Sequence, residues 1–319
     1  MAEDERLKGL SIVVPAYNCE TGLGELVKRL EGILAAFGSA YELILVDDGS
    51  RDGTWGRVLE MAAKYPWIRG IGLLRNYGQH NALLCGIRAA RYDTIITMDD
   101  DLQNPPEEIP KLLAKLAEGW DVVYGTPEVQ QHGFWRNLAS RMTKRALQSA
   151  VGAANARNVS AFRALRTEIR EAFRHYHGPF VSIDVLLSWG TSRFSAQTVR
   201  HDIRGQGLSN YTFRKLASHA IDMMTGFSIW PLRLASFVGF AAALFGIAVL
   251  MYVIIRYILA GGSVPGFPFL ASIIAIFAGA QLFALGIMGE YLARMHFRAM
   301  DRPTYAVRQD TRAGERGTS

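Results

Sequence analysis

The sequence predicts an α/β domain built on a mainly parallel sheet, followed by two transmembrane helices. Apolar strand-like runs alternate with helical patterns from the start of the chain, and two long, almost uncharged apolar runs lie near its end. A third observation gives the domain a purpose: the acidic stretch Met98-Asp99-Asp100-Asp101-Leu102-Gln103-Asn104-Pro105-Pro106-Glu107 follows directly on the apolar run Thr94–Met98.

Taken in order, Leu10–Pro15 reads as a buried strand, Thr21–Phe37 as a helix, and Tyr41–Val46 as a second strand closed by Asp47-Asp48-Gly49-Ser50. A helix over Gly53–Lys64, a strand over Ile68–Leu74 and a helix over Gln79–Ala90 continue the pattern up to the acidic strand end, after which Pro105-Pro106-Glu107 opens another helix. Strand, crossover helix and strand in succession give parallel pairing. Ligands of such sheets sit beyond the C-terminal strand ends, where Tyr17, Asp47, Asp48, Asn76 and the Asp99 cluster all fall.

Alternate residues of an extended chain point the same way, so Asp99 and Asp101 are expected on one face and Asp100 on the other. A hard divalent cation takes such oxygens together with those of a diphosphate. The stretch therefore points to chemistry on a nucleotide diphosphate.

The chain has 319 residues, 35 Lys and Arg against 29 Asp and Glu, and a formal net charge of +6. Its pI is near 9.4. No zinc pattern, RNA-binding signature or basic region on heptads accompanies this charge, which argues against nucleic acid. Cys19 and Cys85 are too few for a disulfide framework or zinc cluster and fit a reducing compartment. Met1–Lys8 is charged and has no apolar signal-peptide core, so the first domain is expected in the cytosol.

Leu234–Leu259 carries one charge, Arg256, near its end, and a second span runs from Phe267 to Ala293. The connection Ala260–Gly266 is short and uncharged, whereas Arg233 precedes the first span and Arg294, Arg298 and Arg302 follow the second. By the positive-inside rule both termini are expected in the cytoplasm, with a small loop outside. Two further segments read as interfacial amphipathic helices. In 134–151, Phe134, Leu138, Met142 and Leu147 recur at helical spacing among Arg136, Arg141, Lys144 and Arg145; in 211–227, Phe213, Leu216, Ile221 and Met224 do so beside Arg214 and Lys215. The predicted organisation is a catalytic domain over 1–210, a juxtamembrane helix over 211–231, two spans within 232–295, and a tail over 296–319 that contains a short strand.

Pro15-Ala16-Tyr17-Asn18, Val46-Asp47-Asp48-Gly49-Ser50, Arg75-Asn76-Tyr77-Gly78-Gln79-His80 and Met98–Glu108 together resemble the family 2 inverting glycosyltransferases that charge polyprenyl phosphates, the class containing dolichyl-phosphate mannose synthases. The likeness is nearest to the bacterial undecaprenyl-phosphate 4-deoxy-4-formamido-L-arabinose transferases. It extends through Trp135–Ser140, Arg204–Tyr211, Gly279-Ala280-Gln281 and Gly289-Glu290-Tyr291. Single motifs are moderately specific; their order ahead of two C-terminal spans is strongly so.

The resemblance implies a GT-A catalytic domain, a UDP-sugar donor, undecaprenyl phosphate as acceptor, and a role in modifying lipid A or another envelope glycan. Pro15 and Tyr17 would line the uracil pocket, with Asn18 and Glu20 beside it, and Asp47 would hold the base or ribose, next to Asp48 and Asn76. Asp99 would contact the donor, while Asp101 and Gln103 would coordinate Mg²⁺ or Mn²⁺. Arg136, Arg141 and Arg204 would receive the acceptor phosphate or the departing nucleotide, with Ser209 and Tyr211 nearby; the planar guanidinium fork suits phosphate oxygens. A lipid phosphate is already ionised, so none of the seven histidines is required as a base. His80 reads as structural or donor-lining, and His201 as a phosphate-positioning residue. The tail Arg302–Gln309, with Tyr305 and Val307 on one face, would pair with a neighbouring subunit and build a homotetramer.

Several positions depart from the family pattern. Cys19 stands where Glu is frequent, Asp100 where Ala is usual, Arg157 where relatives carry Asp, and Asn210 where Lys is common. Polyprenyl-phosphate glucosyl, mannosyl and N-acetylhexosaminyl transfer remain alternatives, as does a membrane scaffold with an inactive domain. A processive polysaccharide synthase would carry a Gln-x-x-Arg-Trp motif and more spans, and a nucleotidyltransferase would open on a Gly-rich loop; neither pattern is present.

Overall fold

A computed structural model of the chain describes residues 7–127, 159–178, 181–202, 230–260, 266–300 and 302–312. These belong to two units, Met1–Thr212 with Asp301–Ser319, and Phe213–Met300.

The first unit is an α/β sandwich around one eight-stranded sheet. In chain order it contains β1 (Leu7–Ala16), α1 (Leu23–Leu34), β2 (Ala40–Asp47), α2 (Thr54–Lys64), β3 (Ile68–Leu73), α3 (Gln79–Ala89), β4 (Tyr92–Thr97), α4 (Ile109–Ala117), β5 (Val122–Pro127), β6 (Arg163–Arg166), α5 (Ile183–Gly190), β7 (Phe194–Val199) and, after the second unit, β8 (Val307–Asp310). Short 3-10 segments cover Pro106–Glu108 and Thr167–Phe173. The strand order is β7-β5-β6-β4-β1-β2-β3-β8. β1 pairs in parallel with both β2 and β4, and β2 with β3, as the strand-helix alternation predicts. β6 runs antiparallel to both β4 and β5, and β8 antiparallel to β3.

Both faces of the central strands are buried, which is why β1 and β2 read as nearly continuous apolar runs. Ile12 and Val14 point into one core with Leu26, Leu30 and Leu34 of α1, Val58 of α2 and Leu112 of α4. Val13 points into the opposite core with Leu83, Leu84 and Ile87 of α3 and Leu186 of α5. On α1 the buried set Leu23, Leu26, Val27, Leu30 and Leu34 keeps helical spacing, so one stripe faces the sheet.

The second unit consists of α6 (Trp230–Ala260) and α7 (Phe267–Ala299). Leu232–Arg256 and Ile276–His296 are each long and apolar enough to cross a membrane, and large apolar side chains such as Phe237, Ile258, Leu282 and Leu292 are exposed. On α7, Arg294 donates to Glu290 one turn earlier, at 2.8 Å and 3.1 Å.

One prediction about geometry is corrected. The tail does form a strand, but β8 adds to β3 of its own chain, in the register Ile71↔Asp310 and Gly72↔Gln309. The expectation that Tyr305 and Val307 share a face does not hold: Tyr305 precedes the strand and packs on the α3 core, whereas Val307 is exposed. A lone edge strand needs a partner for its backbone groups, and the nearest free edge is that of β3.

Candidate active site

The parallel strands bring four C-terminal ends to one side of the sheet. There a cleft of about 240 Å³ is lined by Pro15, Ala16, Tyr17, Asp48, Asn76, Gly78, Gln79, Asp99 and Asp100. Pro15 is buried as the floor, while Tyr17 is exposed at the rim.

The loop after β2 organises much of this wall. Asp48 is buried, and its two carboxylate oxygens accept the backbone N–H groups of Tyr77 at 2.7 Å and Gly78 at 2.8 Å. Burial pushes its pKa upward, an effect opposed by those two hydrogen bonds. Asp48 thus shapes the loop between β3 and α3 as well as lining the cleft. That loop approaches so closely that a Cβ on Gly49 would lie 2.4 Å from the Arg75 carbonyl carbon, and Gly49 has φ +68. Asp47 is fully buried; one oxygen accepts the Ser50 N–H at 3.2 Å, and the other has no hydrogen-bond partner among the described residues. Asp47 itself is not among the residues that line the cleft.

Asn18 and Glu20 are used differently from the expectation. Asn18 donates its N–H to Ser50 Oγ at 3.0 Å and accepts the Arg51 N–H at 2.9 Å, while Glu20 accepts the Gly53 N–H at 3.1 Å, next to the start of α2. Both hold the loops after β1 and β2 together, and neither lines the cleft.

The acidic stretch departs from simple alternation. β4 ends at Thr97, and Asp100 onward is a turn in which Leu102 has φ 58. Asp100 lines the cleft with Asp99, and Asp101 accepts the Gln103 N–H at 3.1 Å instead of lining the wall. Asp100 also faces the Cys19 thiol, whose pKa is raised well above the usual range, first by burial and then by that carboxylate. Cys19 is therefore a neutral thiol at the back of the acidic turn.

Asp99 is held by Gln79, whose Nε2 donates to its Oδ1 at 2.6 Å. Its pKa is pushed up to about 6, first by burial and then by the negative charges of Asp101 and Asp100. Three carboxylates crowded in this way repel one another, which favours the protonated form of Asp99. Among the described residues no group of three or more His, Cys, Asp or Glu side chains is arranged to hold a metal ion. Asp101 and Gln103, expected as metal ligands, are not among the residues that line the cleft.

Behind Asp99, Arg163 lies opposite Thr97 in the β4–β6 register. Its guanidinium pairs with buried Asp184, which also accepts the Tyr124 hydroxyl at 3.0 Å. Sequence reading missed this cluster, together with the roles of Gln79 and Asp100. Gln79 was legible as the first residue of a helix beginning at a strand-end loop; Arg163 and Asp184 stand far apart in sequence and meet only through β6 and α5.

His80 Nδ1 lies 3.4 Å from the Ile183 N–H and so braces α3 against α5. His201 Nδ1 is 3.3 Å from Asn104 Oδ1, and the Asp202 N–H donates to the Gln103 carbonyl at 2.8 Å, which ties the end of β7 to the acidic turn. Arg136, Arg141, Arg157, Arg204, Ser209, Asn210 and Tyr211, and both amphipathic segments, lie outside the described residues.

Comparison with known proteins agrees with this geometry. The chain is 38% identical over 320 aligned positions to an undecaprenyl-phosphate 4-deoxy-4-formamido-L-arabinose transferase of Shewanella sediminis (strain HAW-EB3), covering 99% of this chain and 96% of that one. It is 35% identical to the protein of the same name from Enterobacter sp. (strain 638), covering 100% and 98%. A glucosyl-3-phosphoglycerate synthase of Mycobacterium tuberculosis, solved with Mn²⁺, UDP-glucose and phosphoglyceric acid, superimposes with a TM-score of 0.52 at 19% identity over 68% of this chain and 78% of that one. This last likeness is one of fold, that of a GT-A domain. The model for glycosyl transferase family 2 matches residues 11–180. With the sheet, the acidic strand end and full-length relatives in agreement, the chain belongs to glycosyl transferase family 2.

Proposed function

We propose that this protein transfers a sugar from a UDP-sugar, with inversion, to undecaprenyl phosphate at the cytoplasmic face of a bacterial inner membrane, as a step in envelope-glycan modification. The observation that carries the reading is the cleft joining Tyr17, Asn76 and Asp99 at the strand ends, in a chain whose relatives of that name match it over nearly its whole length. By their names those relatives handle 4-deoxy-4-formamido-L-arabinose, and UDP-4-deoxy-4-formamido-L-arabinose is the donor proposed here. The helices α6 and α7 are read as the membrane anchor.

The lipid phosphate attacks the anomeric carbon, the carbon–oxygen bond to UDP breaks, and the electron pair leaves on the diphosphate. The nucleophile carries its own charge, so the protein's task is proximity and in-line orientation. Tyr17 and Asp47 bind the uridine side, and Gln79 fixes Asp99 where the sugar-diphosphate lies. Asp101 and Gln103 would hold Mg²⁺ or Mn²⁺; when bound, such a cation supplies charge to the leaving diphosphate. Arg136, Arg141 and Arg204, with Ser209 and Tyr211, are assigned to the phosphate of the acceptor.

The test is a panel of nucleotide-sugars incubated with the purified full-length protein, undecaprenyl phosphate and Mg²⁺ or Mn²⁺, with the lipid product identified by mass. A glycosyl-phosphoryl-undecaprenol formed from one UDP-sugar supports the reading. A panel in which no lipid gains a sugar contradicts it and favours a scaffold.

A further inference from the structure

We infer, resting on the donor reading above, that the C-terminal tail 304–312 is a positioning element of the nucleotide cleft, which sets the loop between β3 and α3. The tail's ladder does not stop where β3 stops. Its register shifts between Gly72 and Leu73, and beyond the strand the Leu74 N–H donates to the Ala306 carbonyl at 2.9 Å. Leu74 opens the loop that carries Asn76, Gly78 and Gln79 into the cleft. At its far end the same loop is held by Asp48 through the Tyr77 and Gly78 N–H groups. Between these two clamps Arg75 lies over the Tyr77 ring, 4.7 Å from its centre. The tail supplies one clamp and Asp48 the other.

The seat for the tail is built from buried charge. Asp310 takes both arms of the Arg69 guanidinium, at 3.0 Å and 2.6 Å, with the two side chains only 6% and 13% exposed. Arg312 reaches fully buried Glu42 at 3.1 Å and the Pro66 carbonyl at 2.7 Å. Thr311 exchanges two hydrogen bonds with Gly70, each 3.0 Å. On the α3 side, Arg88 lies 5.8 Å from the centre of the Tyr305 ring, so the tail touches both the strand and the helix that flank the loop. A fork of this kind fixes direction as well as charge, and removing one arm leaves a buried guanidinium without its partner. With the tail unseated, Leu74 loses its acceptor and the loop is held at one end only. Local opening of this sort lowers affinity for any ligand that needs the closed loop, without unfolding the domain.

The experiment uses the full-length protein in detergent with two variants, Asp310→Ala and the milder Arg312→Ala, and two readouts. These are UDP affinity by calorimetry with Mn²⁺ present, and amide hydrogen exchange in the nucleotide-free protein. Asp310→Ala is expected to weaken UDP binding about ten-fold or more, consistent with loss of a buried charged partner. It should also speed exchange at residues 74–78 while β1 and β4 stay protected, and Arg312→Ala should move both readouts the same way by less. UDP affinity within two-fold of wild type, with exchange at 74–78 unchanged, would overturn the inference and leave the tail as an edge cover. If the wild type itself binds no UDP, the donor reading fails, and the exchange result alone still decides whether the tail sets the loop.

Discussion

Gln79 reaches the cleft carboxylate of Asp99 from outside the acidic motif, and that makes it the sharpest test at the scale of single residues. Its 2.6 Å hydrogen bond to Asp99 orients a charged acceptor, an interaction typically worth about 1.5–3 kcal/mol. Gln79→Ala is therefore expected to lower kcat/KM by about 10- to 100-fold with little change in melting temperature; initial rates at varied donor concentration check this. Asp101→Ala is expected to abolish transfer while the protein remains folded in detergent, because the leaving diphosphate loses its counter-charge. Full activity of that variant in excess chelator would remove Asp101 from the metal site. The carboxylates themselves were legible in the sequence, since an acidic run behind an apolar strand has few other uses. Their directions were not. Alternation holds only while the chain stays extended; the strand ends at Thr97 and a turn begins at Asp100, which lines the cleft.

At the scale of elements, periodicity gave β1 to β4 and their crossover helices to within a few residues, because each buries an unbroken apolar face. β6 escaped: its four residues, Arg163-Ala164-Leu165-Arg166, begin and end on arginine, and burial of Arg163 depends on Asp184, which no local pattern announces. The strand character of the tail was legible, but its partner was a matter of which edge lay free. Leu30→Ala on α1 removes a fully buried side chain facing β1 and should cost about 2–5 kcal/mol, read by denaturant unfolding. The ion pair between Arg29 and Glu107 ties α1 to the 3-10 segment after the acidic turn at 2.5 Å. The hydrogen bond from Arg29 holds Glu107 below its ordinary pKa of 4.5. Its stabilisation is present above that ordinary value and is lost as pH falls through the lowered one. Glu107→Gln should thus be less stable than wild type at pH 7, by under about 1 kcal/mol for so exposed a pair, and the difference should vanish in acid. Urea midpoints of both proteins at pH 7 and pH 3 measure it.

At the scale of the whole molecule, the tail changes how the membrane segment has to be tested. Cutting the chain before α6 removes β8 as well, and leaves Arg69 and Glu42 without Asp310 and Arg312. The informative variant replaces residues 230–300 with a flexible Gly-Ser linker and keeps 302–312. It is expected to bind UDP as the full protein does, yet to glycosylate vesicle-borne undecaprenyl phosphate much more slowly; equal rates would show that α6 and α7 take no part in presenting the acceptor. Two apolar helices were legible by length and charge alone, whereas the identity of the sugar was not, because sugar hydroxyls are read by loop geometry. The central claim is direct attack by the lipid phosphate on the sugar of a UDP donor. Its most direct measurement is the anomeric configuration, by NMR, of the lipid product formed from UDP-4-deoxy-4-formamido-L-arabinose and undecaprenyl phosphate. The predicted product is a single glycosyl phosphate of configuration opposite to that of the donor; a product that retains the donor's configuration would contradict single displacement, and the absence of any lipid-linked sugar would contradict the function itself.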